Sequence, residues 1–115
     1  MSKDPLVHIE QICESIDLIE QFAAGITMDQ FSADTKTQDA IIRRLQIIGD
    51  SVKALPKQLT ADHPEIPWSD MARMRDKVIH HYLELKLDTI WETIQKDLPT
   101  LKAPFSALRS KLANQ

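Results

Sequence analysis

Between residues 75 and 82 the chain reads Arg75-Asp76-Lys77-Val78-Ile79-His80-His81-Tyr82, six polar or ionisable side chains in eight positions. Histidine exchanges a proton near neutral pH. Arginine presents a planar fork that fits a phosphate. Together they make a minimal kit for cutting a phosphodiester without a metal: the histidine moves protons, the arginine holds the phosphoryl group, and a ribose 2′-hydroxyl is the nucleophile.

At ~100° per residue, Asp76 and His80 lie one turn apart on one helix face, so Asp76 could take one imidazole nitrogen and fix the ring's tautomer. Arg75 and Tyr82, seven apart, also share a face. Arg75 and His80 stand about 140° apart on an ideal helix. If both serve one site, either the helix ends near His80 or a second subunit completes the cleft. A plainer reading fits the same pattern and is the more frequent one: a solvated helix face with ordinary ion pairs. In it His81 is a core or interface histidine, and Tyr82 packs its ring while its hydroxyl stays wet. A metal held by His80 and His81 is disfavoured, because adjacent side chains point ~100° apart.

Apolar spacing outlines the elements that must carry these residues. Ile9, Ile12, Ile16, Ile19 and Ala23 draw one stripe along a helix from about Asp4 to Ala24, stopped by Gly25. Met28 and Phe31 tack a short turn onto the core within the connection from Ile26 to Asp34. Thr35 and Gln38 form a candidate capping box for a second helix, striped by Ile41, Leu45, Ile48, Val52, Leu55 and Leu59. Pro56 should break or kink its end. The stretch Asp62-His63-Pro64-Glu65-Ile66-Pro67-Trp68 is a loop, after which Ser69 is placed as N-cap of a third helix, roughly Asp70 to Tyr82. Asp88 can cap a fourth, striped by Leu87, Ile90 or Trp91, Ile94, Leu98 and Leu101. Pro99 and Pro104 divide the tail, where Phe105, Leu108 and Leu112 form a last amphipathic segment. The expected fold is all-α: one domain over residues 1–115, an antiparallel four-helix bundle with an extra C-terminal helical segment.

Composition agrees and narrows the function classes. With 115 residues, 43% hydrophobic side chains and two glycines, the chain can bury a core without disulfides or metals. The single cysteine, Cys13, sits among apolar neighbours as a small buried hydrophobe. Nothing near Met1 reads as a signal peptide and no apolar run approaches the ~20 residues of a membrane span, so a cytoplasmic, membrane-free protein is expected. A net charge of -3 argues mildly against a dedicated nucleic-acid binder. A local basic cleft would suffice for catalysis on RNA, with weak, transient binding. Mid-helix Gly49 costs roughly 1 kcal/mol against alanine and reads equally as a tolerated glycine or as a close approach of another backbone.

Arg75-x4-His80-x-Tyr82 resembles the signature of HepT-like HEPN domains. The surroundings strengthen the resemblance across nearly the whole chain: Gln38-Asp39-Ala40-Ile41-Ile42-Arg43, Ile47-Ile48-Gly49, His63-Pro64-Glu65-Ile66-Pro67-Trp68, Trp91-Glu92, and Asp97 to Leu101. The resemblance implies a HEPN-like bundle acting as a metal-independent endoribonuclease, the toxin of a type II toxin-antitoxin system, free of cofactors. Arg75 and His80 would be its catalytic pair, with Asp76 and His81 supporting. It further implies a homodimer whose two copies of the third helix flank a shared cleft. A cognate nucleotidyltransferase antitoxin would neutralise it by adding AMP to Tyr82, the bulky anion filling the cleft beside His80 and occupying Arg75. The alternative is a non-catalytic helical module that serves such a nucleotidyltransferase as substrate subunit, which suits the acidic pI. Three positions depart from the family's common pattern. Asp76 stands where Asn is frequent, bringing a negative charge to the phosphate's place. Arg44 and Asp50 stand where the family often has Asn and Glu, and Arg44 either adds basicity to the cleft or lies in solvent.

Overall fold

The computed structural model describes residues 4–115; the N-terminal residues 1–3, where no leader is expected, lie outside the described residues. The chain forms α1 (Pro5–Ala23), α2 (Met28–Ala33), α3 (Thr35–Lys53), α4 (Lys57–Asp62), α5 (Trp68–Leu83) and α6 (Leu87–Glu92). A π-helical turn (Thr93–Asp97) follows, and then α7 (Pro99–Ala113). The described residues are otherwise turns and short links, so the all-α expectation holds. Helix α1 packs on α3 and α7, α3 on α5, and α5 on α6, which closes a four-helix ring with α6, the π turn and α7 as its fourth member.

The stripes read from sequence become the core. Ile9, Ile12, Ile16 and Ile19 of α1 meet Ile41, Leu45 and Ile48 of α3, with Met71 and Val78 of α5 and Ile90, Leu98 and Phe105 from the fourth member. Each is at most 3% exposed, so the burial that holds the bundle together comes from these stripes. Trp68 stands edge-on to Phe105, ring centroids 5.5 Å apart, and its indole N–H donates to His63 O at 2.9 Å. The first turn of α5 is thereby pinned to both α7 and the preceding loop.

The helix starts differ from expectation. The capping box lies at Thr27 and Gln30, which exchange bonds of 3.1 and 2.8 Å, and it opens α2. Asp34 caps α3, accepting from the Thr37 amide at 3.1 Å and the Thr37 hydroxyl at 2.6 Å. Those bonds hold its carboxyl below the usual carboxylate range. Gln38 is instead buried and donates to Phe31 O and Ser32 O, tying α2 to α3. Ser69 lies inside α5, whose N-cap is Pro67, and Asp88 sits in the first turn of α6 rather than at its cap.

The C-terminal segment is present as α7, but its prolines do not divide it. Pro99 takes the first position, where its missing N–H costs nothing, and Pro104 is carried inside the helix. The chain reaches Pro99 by widening one turn, with Leu98 N–H donating to Thr93 O at 3.0 Å. A wider turn avoids the clash that a proline ring makes with the carbonyl four residues back. Among the described residues no helix is long and apolar enough to cross a membrane.

Candidate active site

Helix α5 runs unbroken from Trp68 to Leu83, so Arg75, Asp76, His80, His81 and Tyr82 all stand on one continuous helix. Contacts to α3 set its register. Gly49 lies against Arg75 and Asp39 against Tyr82, which makes the two helices antiparallel. A Cβ built on Gly49 would stand 2.6 Å from Arg75 Cβ. What approaches this glycine is a side chain rather than the backbone atoms of the expectation: the stem of Arg75 lies directly against α3.

The Arg75 side chain is 34% exposed, its stem covered and its guanidinium reaching solvent between two carboxylates. Nε lies 2.9 Å from Asp50 Oδ1, but the N–H points off the carboxylate and the contact is electrostatic. Nη1 donates to Asp76 Oδ1 at 3.1 Å. Asp76 is thus a partner of Arg75, and the imidazole it was expected to orient has another neighbour. His80 is 66% exposed, with Nε2 3.2 Å from Glu84 Oε1. Lys86 Nζ sits 2.9 Å from the other oxygen, Glu84 Oε2. Lys86 first, and His80 after it, hold the Glu84 carboxyl below its ordinary range, while Glu84 holds the Lys86 ammonium above its own.

Tyr82 points to α3, where its hydroxyl donates to Asp39. That bond, with smaller contributions from burial and the carboxylate's charge, pushes the phenol above the usual tyrosine range. His81 turns the other way. It lines a groove of about 550 Å³ between α5 and the fourth member, floored by Met71, Met74 and Ile90, and its buried Nδ1 has no hydrogen-bond partner. The His80 and His81 rings are 5.8 Å apart and tilted by 56°.

Arg75 and Tyr82 therefore share the α3-facing edge of α5, and His80 stands on a different side. Sequence reasoning gave three carboxylates no role in the site. Glu84 was within reach of it, four residues after His80. Asp39 and Asp50 belong to another helix, and only Gly49 hinted at the register that brings them close.

The fold and these residues define an all-α bundle with a candidate phosphodiester site on one helix. Comparison with known proteins assigns the family: a model described as "Ribonuclease HepT-like" matches residues 12–108, and the chain belongs to that family. The probable ribonuclease HepT of Thermococcus cleftensis is 47% identical over 102 residues, 89% of this chain and 93% of that protein. A candidate RNase of Caldanaerobacter subterraneus is 36% identical over 109 residues, 95% of this chain and 97% of that protein. A Methanocaldococcus jannaschii protein named for gamma-glutamylcyclotransferase and a candidate RNase is 38% identical over 112 residues, 97% of this chain but 50% of its own length. No solved structure matches.

Proposed function

We propose that this chain is a metal-independent endoribonuclease, the toxin of a type II toxin-antitoxin pair acting in the cytoplasm, with Arg75 and His80 as its catalytic residues. The carrying observation is that a HepT-like chain keeps Arg75 seated against α3 with its guanidinium at the surface, on the same helix as an accessible His80. In the proposed reaction His80 takes the proton of a ribose 2′-hydroxyl, whose oxygen attacks phosphorus. The P–O5′ bond breaks, and the 5′-oxygen takes the proton back from the imidazolium, leaving a 2′,3′-cyclic phosphate. Arg75 offsets the growing charge on the phosphoryl oxygens. Asp50 and Asp76 must yield to the incoming phosphate, at a cost of up to ~1 kcal/mol for each such exposed pair.

Helix α5 ends at Leu83, less than one turn past His80, but it is unbroken from Arg75 to His80, so its end does not swing the imidazole round to the side of Arg75. A second copy is the other way to bring the two together, and a homodimer is part of the proposal. The free side of α5 supports it: Ile79 is half-buried and Leu83 is 76% exposed, beside His80. Neutralisation by a cognate nucleotidyltransferase antitoxin, through AMP added to Tyr82, completes the reading. Tyr82 shares its edge with Arg75 and stands about 200° around the helix from His80 of the same chain. The added phosphate would therefore act on Arg75's side, against the phosphate grip, and it would have to break the bond to Asp39.

Purified, unmodified protein without its partner should cleave RNA in the presence of a chelator. Arg75→Ala and His80→Ala should each lower the rate at least about 100-fold. Full activity in either variant would sink the site assignment. The non-catalytic module draws its support from the net charge of -3. It would gain if expression of the wild-type chain and of His80→Ala restrained growth equally.

A further inference from the structure

We infer that Glu84 is the positioning residue of His80, its charge favouring the N–H on Nε2 and leaving Nδ1 as the nitrogen that exchanges protons with RNA. The inference rests on the reading of His80 as the proton-transferring residue.

Of the two carboxylates within one turn of His80 along α5, Asp76 is engaged by the Arg75 guanidinium at 3.1 Å. Glu84 has Oε1 3.2 Å from His80 Nε2, a charge contact rather than an aligned hydrogen bond. An exposed glutamate four residues on is by itself a loose partner, since exposed pairs of this kind are weak. Glu84 does not face the imidazole alone. Its second oxygen is paired with Lys86 Nζ at 2.9 Å, which favours the rotamer that leaves Oε1 beside His80.

The backbone that sets up this pairing is itself unusual. Helix α5 ends in a Schellman turn: the Lys86 amide donates to His81 O at 2.8 Å and the Leu85 amide to Tyr82 O at 3.0 Å. The turn requires a left-handed residue, and Leu85 supplies it at φ 60. Glycine is the ordinary choice there, because a Cβ in that region crowds the following carbonyl oxygen. Leu85 is 76% exposed, so burial within this chain does not offset the cost. The result of the turn is to fold Lys86 back onto Glu84. A neutral histidine carries one N–H and one lone pair, and a carboxylate beside one nitrogen favours the N–H there and leaves the other nitrogen as the base. Glu84 beside Nε2 assigns that role to Nδ1, and its charge also stabilises the imidazolium that forms when the 2′-hydroxyl gives up its proton.

The test is long-range ¹⁵N–¹H NMR of the histidine side chains in the full-length protein, combined with cleavage of a mixed-sequence RNA oligonucleotide. Parent, Glu84→Ala, Glu84→Gln and His80→Ala are compared. Glu84 is exposed at a helix end, so its variants should keep the parent's circular dichroism. Expected is an Nε2–H tautomer of His80 in the parent and a loss of that bias in Glu84→Ala. With it should come a roughly 10-fold fall in kcat at unchanged KM, and partial recovery of both in Glu84→Gln, whose amide oxygen can still face Nε2. An unchanged tautomer in Glu84→Ala, or an unchanged kcat where His80→Ala is inactive, overturns the inference and leaves the reading of His80 standing. Cleavage that survives His80→Ala overturns that reading, and the role of Glu84 with it.

Discussion

Replacing Gly49 by alanine separates local helix preference from the packing that seats Arg75. In an isolated helix the change would be favourable by about 1 kcal/mol. In this bundle the new Cβ would stand 2.6 Å from Arg75 Cβ, and 3.5 Å from both Arg75 Cγ and Cδ. The distal atoms are at ordinary contact distance and can turn away. The Cβ cannot, because no rotamer moves it; α3 and α5 must separate by most of an ångström to restore a normal carbon–carbon contact. Forcing an extra methyl into a packed interface typically costs about 1–3 kcal/mol. Set against the propensity gain, Gly49→Ala should lose up to about 2 kcal/mol, read as a lower urea midpoint at unchanged slope.

A double-mutant cycle shows whether the clash lies where the geometry puts it. Arg75→Gly removes the offending Cβ, so combining it with Gly49→Ala should recover about 1–3 kcal/mol relative to the sum of the single changes. Arg75→Ala keeps the Cβ and should recover almost nothing. If Gly49→Ala raises the urea midpoint, or if Arg75→Ala rescues it as well as Arg75→Gly does, the reasoning from close approach is wrong.

The remaining predictions concern charge. Tyr82 is the only tyrosine, so absorbance near 295 nm follows its ionisation without labels. Its folded value is raised, so the bond to Asp39 stabilises the fold below the ordinary tyrosine range and that contribution is lost as pH rises through the raised value. Asp39→Asn should move phenolate formation to lower pH, and an unmoved titration would show that the bond does not hold in solution. Asp76→Asn removes one carboxylate from Arg75 and should tighten RNA binding up to about 5-fold at low salt, an effect fading as salt rises. Equal affinities for parent and variant at low salt would mean that Asp76 is no obstacle to phosphate. The losses expected for Arg75→Ala, His80→Ala and Glu84→Ala complete the set.

The stripes were legible because burial repeats with the helix: each inward position of α1 and α3 named in advance, from Ile9 to Val52, is buried. Helix starts were not, because several residues compete for each cap and the winner depends on what lies nearby. Asp34 prevails over Thr35 because its carboxylate takes both the amide and the hydroxyl of Thr37. Ser69 loses the start of α5 to Pro67, where the indole of Trp68 already ties the chain to His63 O. Pro99 and Pro104 read as breaks, yet one sits where no donor is needed and the π turn absorbs the strain ahead of it. Within the candidate site, positions along α5 followed from spacing alone. Which carboxylate meets which base did not, because that depends on side-chain reach and on the register between helices.

The division of α5 into two working sides follows from that register. The edge facing α3 holds the groups that would deal with phosphate, Arg75 seated by Gly49 and Tyr82 held by Asp39, about 10 Å apart along the axis. The side carrying His80 and Glu84 would deal with protons, and α5 ends there in the turn at Leu85 and Lys86. In a single chain these sides face apart, so neither can complete the other's chemistry. On the proposed reading, two copies bring the phosphate edge of one helix to the proton side of its mate, and each active centre draws on both chains. A modification at Tyr82 would then act on the phosphate grip while leaving the imidazole and its carboxylate untouched. Such a protein loses affinity for RNA before it loses the capacity to move a proton. The tautomer of His80 should therefore be the same in modified and unmodified protein, even where cleavage has stopped.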